Sequence, residues 1–366
     1  MVGFESARAV ADAVLYEGYL LYPYRRSSGK NRVRWQFGVL APRRWLAQTG
    51  VIGTSVAGSA DAWHQQTECL LQAPDLATIQ VRLRFLQLQH RSVQARGSDG
   101  TFLDCDVLDV DDRRYLTFDE AVPREFDIVA QVGELRDEGH TTSIEVPGGE
   151  DVEPLGEQGR LVRRRWPLSA TVHISIIAID AWSPLNRLRL VTENTDDSIT
   201  TDAPRADALK RSLVATHCLL GVRGGSFVSL LDPPEWAAAA AKGCRNVHTF
   251  PVLAGAPESQ VVMLSSPILM DSDYPQVSPE SPGDLFDATE IDEILSLRTL
   301  TLTDEEKREA RATDPRAAAI IDRVEDFPHE VLERLHGAVR SLRPVMSQPT
   351  VTCQPNGRWE APDGCP

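Results

Sequence analysis

The segment Thr78-Ile-Gln-Val-Arg-Leu-Arg-Phe85 alternates apolar and polar side chains without a break. A side-chain period of two puts Ile79, Val81, Leu83 and Phe85 on one face and Gln80, Arg82 and Arg84 on the other. Only a strand with one side against a core satisfies both faces. At Phe85–Leu86 the phase slips by one residue before Leu86, Leu88 and His90 continue it, for which a β-bulge is the simplest expectation. Similar strands are predicted at 101–108, 126–132, 172–179, 188–192, 214–222, 227–231, 246–252 and 261–268. Gly97-Ser-Asp-Gly100 and Arg223-Gly-Gly-Ser226 read as turns between them, the second as a hairpin.

Two stretches interrupt this series. Residues 133–160, rich in Gly, Glu and Pro, read as a mobile surface loop. Asp232-Pro-Pro-Glu-Trp-Ala237 opens a short alanine-rich helix that Gly243 ends. The chain begins with a helix expected over 7–22, capped by Ser6 and stopped by Pro23, and a strand is expected over 35–40. After residue 287 the period becomes helical. Asp287-Ala-Thr-Glu290 and Thr303-Asp-Glu-Glu306 both have capping-box spacing, and a later helix starts at Pro328.

These patterns predict an α+β protein: a β-sandwich-like antiparallel body with an N-terminal helix and a C-terminal helical appendage. The expected division is a β-rich domain over 1–286, helices over 287–342 and an irregular tail over 343–366.

Charge narrows the partners. The net charge is -15, and residues 271–335 hold eighteen acidic side chains against seven basic ones. Such a surface repels phosphate backbones and anionic lipid, so nucleic acid is not an expected partner. No apolar run approaches the roughly eighteen residues a membrane helix needs, and no leader-like segment opens the chain. Membrane insertion is therefore not expected, and cytoplasmic residence is. Six scattered cysteines without a C-x-x-C pair fit neither a disulfide scaffold nor a zinc knuckle. Cys69, Cys105, Cys218 and Cys244 lie in or beside apolar runs and are expected to be structural thiols. Cys353 and Cys365 could close a loop in the tail.

Catalytic signatures are missing: no P-loop, no G-x-G-x-x-G, no H-E-x-x-H and no G-x-S-x-G occurs. No cofactor is expected and no catalytic residue is assigned. His173 and His217 are the candidates for a metal, should they meet across a sheet. His217 and Cys218 are adjacent on a strand and so point to opposite faces. His329 and His336 share a helix face, where solvated or packed imidazoles are the expectation. The acidic, proline-punctuated run from Asp271 to Asp287 is the most unusual segment. Asp271, Asp273, Tyr274, Glu280, Asp284 and Phe286 make it a candidate docking strip for a protein partner, the alternative being a solvated linker.

Two stretches carry a family resemblance. One is Val14-Leu-Tyr-Glu-Gly-Tyr-Leu-Leu-Tyr-Pro-Tyr24 followed by Val33-Arg-Trp-Gln-Phe-Gly-Val-Leu40. The other is Ser278-Pro-Glu-Ser-Pro-Gly-Asp-Leu-Phe-Asp-Ala-Thr-Glu-Ile-Asp-Glu-Ile-Leu295, running on to Thr301-Leu-Thr-Asp-Glu-Glu-Lys307. Together they resemble accessory proteins encoded beside high-affinity nickel–iron hydrogenases of actinobacterial type. The resemblance implies an accessory or assembly factor whose partner is a hydrogenase subunit or maturation factor, and it assigns no catalytic residue. The paired C-x-x-C nickel ligands of a large subunit are missing, as are the clustered cysteines of an iron–sulfur protein. The alternative is an enzyme or metal-handling protein whose site is built from dispersed His and acidic residues.

Overall fold

The computed structural model describes residues 3–16, 37–49, 61–111, 113–136, 138–179, 185–276 and 302–313, with 318–319, 321–322 and 325. All of them belong to one compact unit ending at Glu325. In chain order the elements are α1 (Glu5–Tyr16), α2 (Arg43–Thr49), β1 (His64–Gln72), β2 (Thr78–Arg96), β3 (Phe102–Cys105), β4 (Val107–Val110), β5 (Arg113–Leu116) and β6 (Phe118–Gln131). After a 3-10 turn at Val132–Leu135 come β7 (His140–Val146), β8 (Gly149–Leu155), β9 (Gly159–Arg165), β10 (Leu168–Ala178) and β11 (Leu185–Asn194). Then follow α3 (Arg205–Leu209), β12 (Val214–Arg223), β13 (Ser226–Val228), a 3-10 turn at Glu235–Ala237, α4 (Ala238–Lys242), β14 (Phe250–Leu253), β15 (Val262–Ser266) and α5 (Asp304–Thr313).

The architecture is α+β, mostly antiparallel and sandwich-like, with a helix near each end of the described chain. One sheet runs β13-β1-β11-β10-β7; the other runs β14-β15-β12-β2-β9-β8, with β3 and β6 also paired to β2. Between them lies a single large core. Leu71, Val172, Ile174, Ile176, Leu188 and Leu190 of the first sheet meet Ile79, Val81, Leu83, Phe85, Leu220 and Val222 of the second. The predicted inward face of β2 is therefore the observed one. Phe85, fully buried, stacks on Phe126 with ring centroids 5.9 Å apart.

Several expectations need correction. No bulge interrupts β2 at Phe85–Leu86: the pairing with β6 keeps one register from Thr78↔Gln131 to Arg91↔Phe118. The phase slips because Leu86, Gln87 and Leu88 are all buried, so both faces of the strand are covered there and alternation has no meaning. The register shift sits instead in β12 between Val214 and His217, where Ala215 adopts a φ of 52°. Residues 133–160 are not a loop; they supply β7, β8 and the start of β9. The strand β8 is exposed along almost its whole length, and it is held by pairing to β9 and by Arg163–Glu153 and Arg165–Asp151 ion pairs, each at 2.6 Å. Polar on both faces, it carries no period-two signal.

Arg223-Gly-Gly-Ser226 is not a hairpin either, since β12 and β13 belong to different sheets and β13 pairs with β1. Gly224, at φ +84°, and Gly225 carry the chain across the sandwich. A Cβ on Gly225 would lie 2.5 Å from the Gln72 carbonyl oxygen and 2.7 Å from the Ala73 Cβ. Gly225→Ala is therefore expected to cost roughly 1–3 kcal/mol by overpacking against backbone. A urea midpoint equal to wild type would show that the crossover can relax.

The helix α1 lays Ala7, Val10, Ala11 and Val14 against Leu219, Val252, Val262 and Leu264 on the outward face of the larger sheet. It begins at Glu5, so Ser6 is inside the first turn rather than capping it. The capping box at Thr303 forms as its spacing predicts. The Thr303 N–H donates to Glu306 Oε2 at 2.7 Å, and the Glu306 N–H donates to Thr303 Oγ1 at 3.3 Å. Gly243 closes α4 as expected. The rest of the 7–22 helix beyond Tyr16, the Asp287 box, the helix from Pro328 and the domain boundaries at 286/287 and 342/343 fall outside the described residues.

Candidate functional sites

Two surfaces stand out. The first is a cleft of about 910 Å³ between the β4–β5 hairpin, the β8–β9 hairpin and α5. Among the described residues its lining holds six arginines, Arg91, Arg113, Arg114, Arg163, Arg308 and Arg311, against Asp109, Asp111 and Glu153. Tyr115 and Leu161 belong to the small apolar cluster beneath it, with Val93 and Val110.

Its arginines are held in two ways. Arg91 is buried and structural: Nε donates to the Leu116 carbonyl at 3.0 Å, Nη1 to Glu120 at 2.6 Å and Nη2 to the Ala312 carbonyl at 3.0 Å. That last bond ties α5 to the body. Arg114 reaches Asp109 at 2.9 Å and Glu305 at 2.8 Å, Arg311 reaches Asp322 at 2.8 Å, and Arg308 pairs with Glu305. Those carboxylates are more than half exposed, so each such pair is worth little.

The second surface lies on the outward face of the smaller sheet. The segment from Ser229 to Gly243 crosses that face, with Ala237 packed on Leu70, Leu185 and Val228. Trp236 is left 57% exposed and Leu231 48% exposed. At the end of β10, Ile177 and Ile179 are also exposed, and the Ile179 N–H donates to the Leu185 carbonyl at 3.1 Å. A group of large apolar side chains is thus open to solvent beside a buried apolar cluster.

The described part of the predicted docking strip, residues 271–276, meets this surface. Asp273 accepts from the Leu253 N–H at 2.8 Å and from the Ser229 hydroxyl, which in turn accepts from the Asp232 N–H at 2.8 Å. Its carboxylate is therefore used inside the fold. Tyr274, at φ 57°, packs against the main core, as Leu230 also does, while Asp271 stays exposed. Burial pushes the Tyr274 phenol above its usual range, with Asp273 adding to the effect. Glu280, Asp284 and Phe286 lie outside the described residues.

The two candidate histidines do not meet. His173 shares the outward side of its strand, since Val172 and Ile174 point into the core, and its Nδ1 shares a 2.8 Å hydrogen bond with the Thr141 hydroxyl. His217 is buried on the other outward face, on the side of Leu219 under α1. The whole core lies between them. Buried entirely and set near Arg84, the His217 imidazole is pulled down to about 3, with burial the larger cause. Its Nδ1 bonds the Ala215 carbonyl at 2.8 Å. Among the described residues no group of three His, Cys, Asp or Glu side chains is placed to hold a metal.

The four described cysteines are free. Cys69 and Cys218 are completely buried, and burial pushes the Cys218 thiol up to about 12 and Cys69 higher still. Protonated at neutral pH, neither thiol serves as a nucleophile or ligand without rearrangement.

The sequence missed the arginine cleft because its walls come from four separated segments. The doublet Arg113-Arg114 and the run Arg163-Arg-Arg165 were its visible signals. Trp236 lies in the expected helix start, and nothing in the sequence tells that its ring stays outside.

No family model matches the chain, and no curated protein matches it. The described residues define an antiparallel, sandwich-like α+β protein that carries an arginine-lined cleft and an exposed apolar shoulder. No helix among the described residues is long and apolar enough to cross a membrane.

Proposed function

We propose that this chain is a non-enzymatic accessory or assembly factor that binds another protein through the apolar shoulder and the adjoining acidic strip. The observation that carries the reading is the contact between them. Asp273 fastens the start of the strip to Ser229, two residues from exposed Leu231 and seven from exposed Trp236. A large, rigid aromatic ring left in solvent is the residue type that dominates protein interfaces. Asp232, Glu235 and Asp271 are exposed at the end of the 229–243 segment nearer Ser229, with Lys242 and Arg187 at its other end. A partner with basic groups around an apolar pocket therefore fits the acidic end, and salt should slow the association. The resemblance to proteins encoded beside nickel–iron hydrogenases sets the partner class: a hydrogenase subunit or a maturation factor.

Tagged protein recovered from the native host is expected to bring such a partner with it. Leu231→Ser combined with Trp236→Ala should reduce the recovered partner at least tenfold, since interface aromatics of this kind contribute about 2 kcal/mol or more. The melting temperature should stay within about 2 °C of wild type, because both side chains are exposed. Undiminished recovery would remove the shoulder from the interface, and a collapsed melting temperature would make both side chains part of the core.

A further inference from the structure

We infer that the arginine cleft is a binding site for a small multivalent oxyanion, a compound carrying two or more phosphate or carboxylate groups. This inference is independent of the partner-binding reading, which uses the other sheet.

Three observations converge. First, the volume of about 910 Å³ falls in the range of small-molecule sites. Second, six guanidiniums line the cleft against three carboxylates, while their further partners Glu120, Glu305, Asp322 and Glu325 lie outside the lining, so the wall itself presents arginine in a protein whose net charge is -15. Arginine presents a planar fork that fits carboxylate and phosphate oxygens in pairs. Third, the internal partners are easily exchanged. Asp109, Glu153 and Glu305 are each more than half exposed, so their attraction is screened and a ligand oxygen replaces them at little cost, whereas Arg163 and Arg311 keep less exposed partners in Glu120 and Glu325. Arg113 has no partner among the described residues and already faces the cleft. Arg91, by contrast, is committed to Glu120 and to two backbone carbonyls, and it serves as the fixed back wall.

Tyr115 and Leu161 add an apolar side to the site, which favours a compound with a carbon skeleton or ring between its anionic groups. Size and charge together argue against duplex nucleic acid. The cleft is local, while the remainder of the acidic chain repels an extended phosphate backbone.

The test is thermal unfolding and calorimetry with inorganic pyrophosphate and with citrate, each against sodium chloride of equal ionic strength. Millimolar ligand is expected to raise the melting temperature by about 2 °C or more through linkage, with measurable heat of binding. The variant pair Arg113→Ala and Arg308→Ala should fold normally, since neither side chain holds a buried group, and should lose the shift. Pyrophosphate alone acting would assign the site to phosphate compounds, and citrate alone acting would assign it to polycarboxylates. No shift beyond the salt control with either probe, or a shift kept in the double variant, would overturn the inference and leave the arginines as a network that docks α5.

Discussion

Acidification from pH 6.5 to 4 is expected to remove about 3 kcal/mol of stability through a single side chain, His217. The unfolded chain protonates this imidazole near 6.5, whereas in the folded protein burial and the neighbouring Arg84 hold it neutral down to about 3. Between those two values the unfolded state carries a proton that the folded state lacks, so each pH unit of acidification costs up to about 1.4 kcal/mol. Above 6.5 the full stability is present; below about 3 both states are protonated and the loss stops. His64 and His248, each lowered first by burial, add in the same direction. Urea denaturation of wild type and His217→Gln at pH 6.5, 5 and 4 isolates the effect. The difference between the two should change by about 3 kcal/mol over this range, and parallel curves would show that the ring titrates normally.

The second large effect concerns Arg84, which is 3% exposed and lies between Asp12 of α1 and Glu125 of β6. The Arg84–Glu125 bond measures 2.8 Å. Removing both carboxylates by Asp12→Ala and Glu125→Ala leaves a buried guanidinium without a counter-charge. Breaking such a group is expected to cost roughly 3–5 kcal/mol and to loosen α1. Adding Arg84→Met should restore most of that loss, because an apolar side chain of similar length fills the space without needing a partner. A double variant within about 1 kcal/mol of wild type would mean that water solvates Arg84 in the native fold.

How far the sequence could be read depended on where one face met a core and the other met solvent. The strands β10 and β11 have that arrangement and their alternation is legible, whereas the first half of β2 alternates although Gln80 and Arg84 on its polar face are buried, Arg84 being paired with Asp12 and Glu125. Where both faces are buried, as at Leu86–Leu88, the alternation breaks, and the break imitates a bulge. Where both faces are wet, as in β8, composition resembles a loop, although Asp151 and Glu153 are matched to arginines across the hairpin. Local chemistry that needs no tertiary partner, such as the Thr303–Glu306 box, is fully visible.

The sites were less legible for a related reason. Parity along a strand shows that His173 and His217 each take one face, but not that those faces point away from each other across the sandwich. The arginine cleft exists only once β4–β5, β9 and α5 come together. Asp273 looked like surface charge; its bonds to Leu253 and Ser229 could not be anticipated from a proline-rich run.

Site-specific photo-crosslinking in the native host tests the proposed partner binding most directly. A photoreactive residue at position 236 is compared with one at Val152, an apolar position on the other sheet that is 50% exposed. The expected result is a covalent adduct with a hydrogenase subunit or maturation factor at 236 and none at 152. No adduct at 236, or the same adducts at both positions, would contradict a partner site on the shoulder.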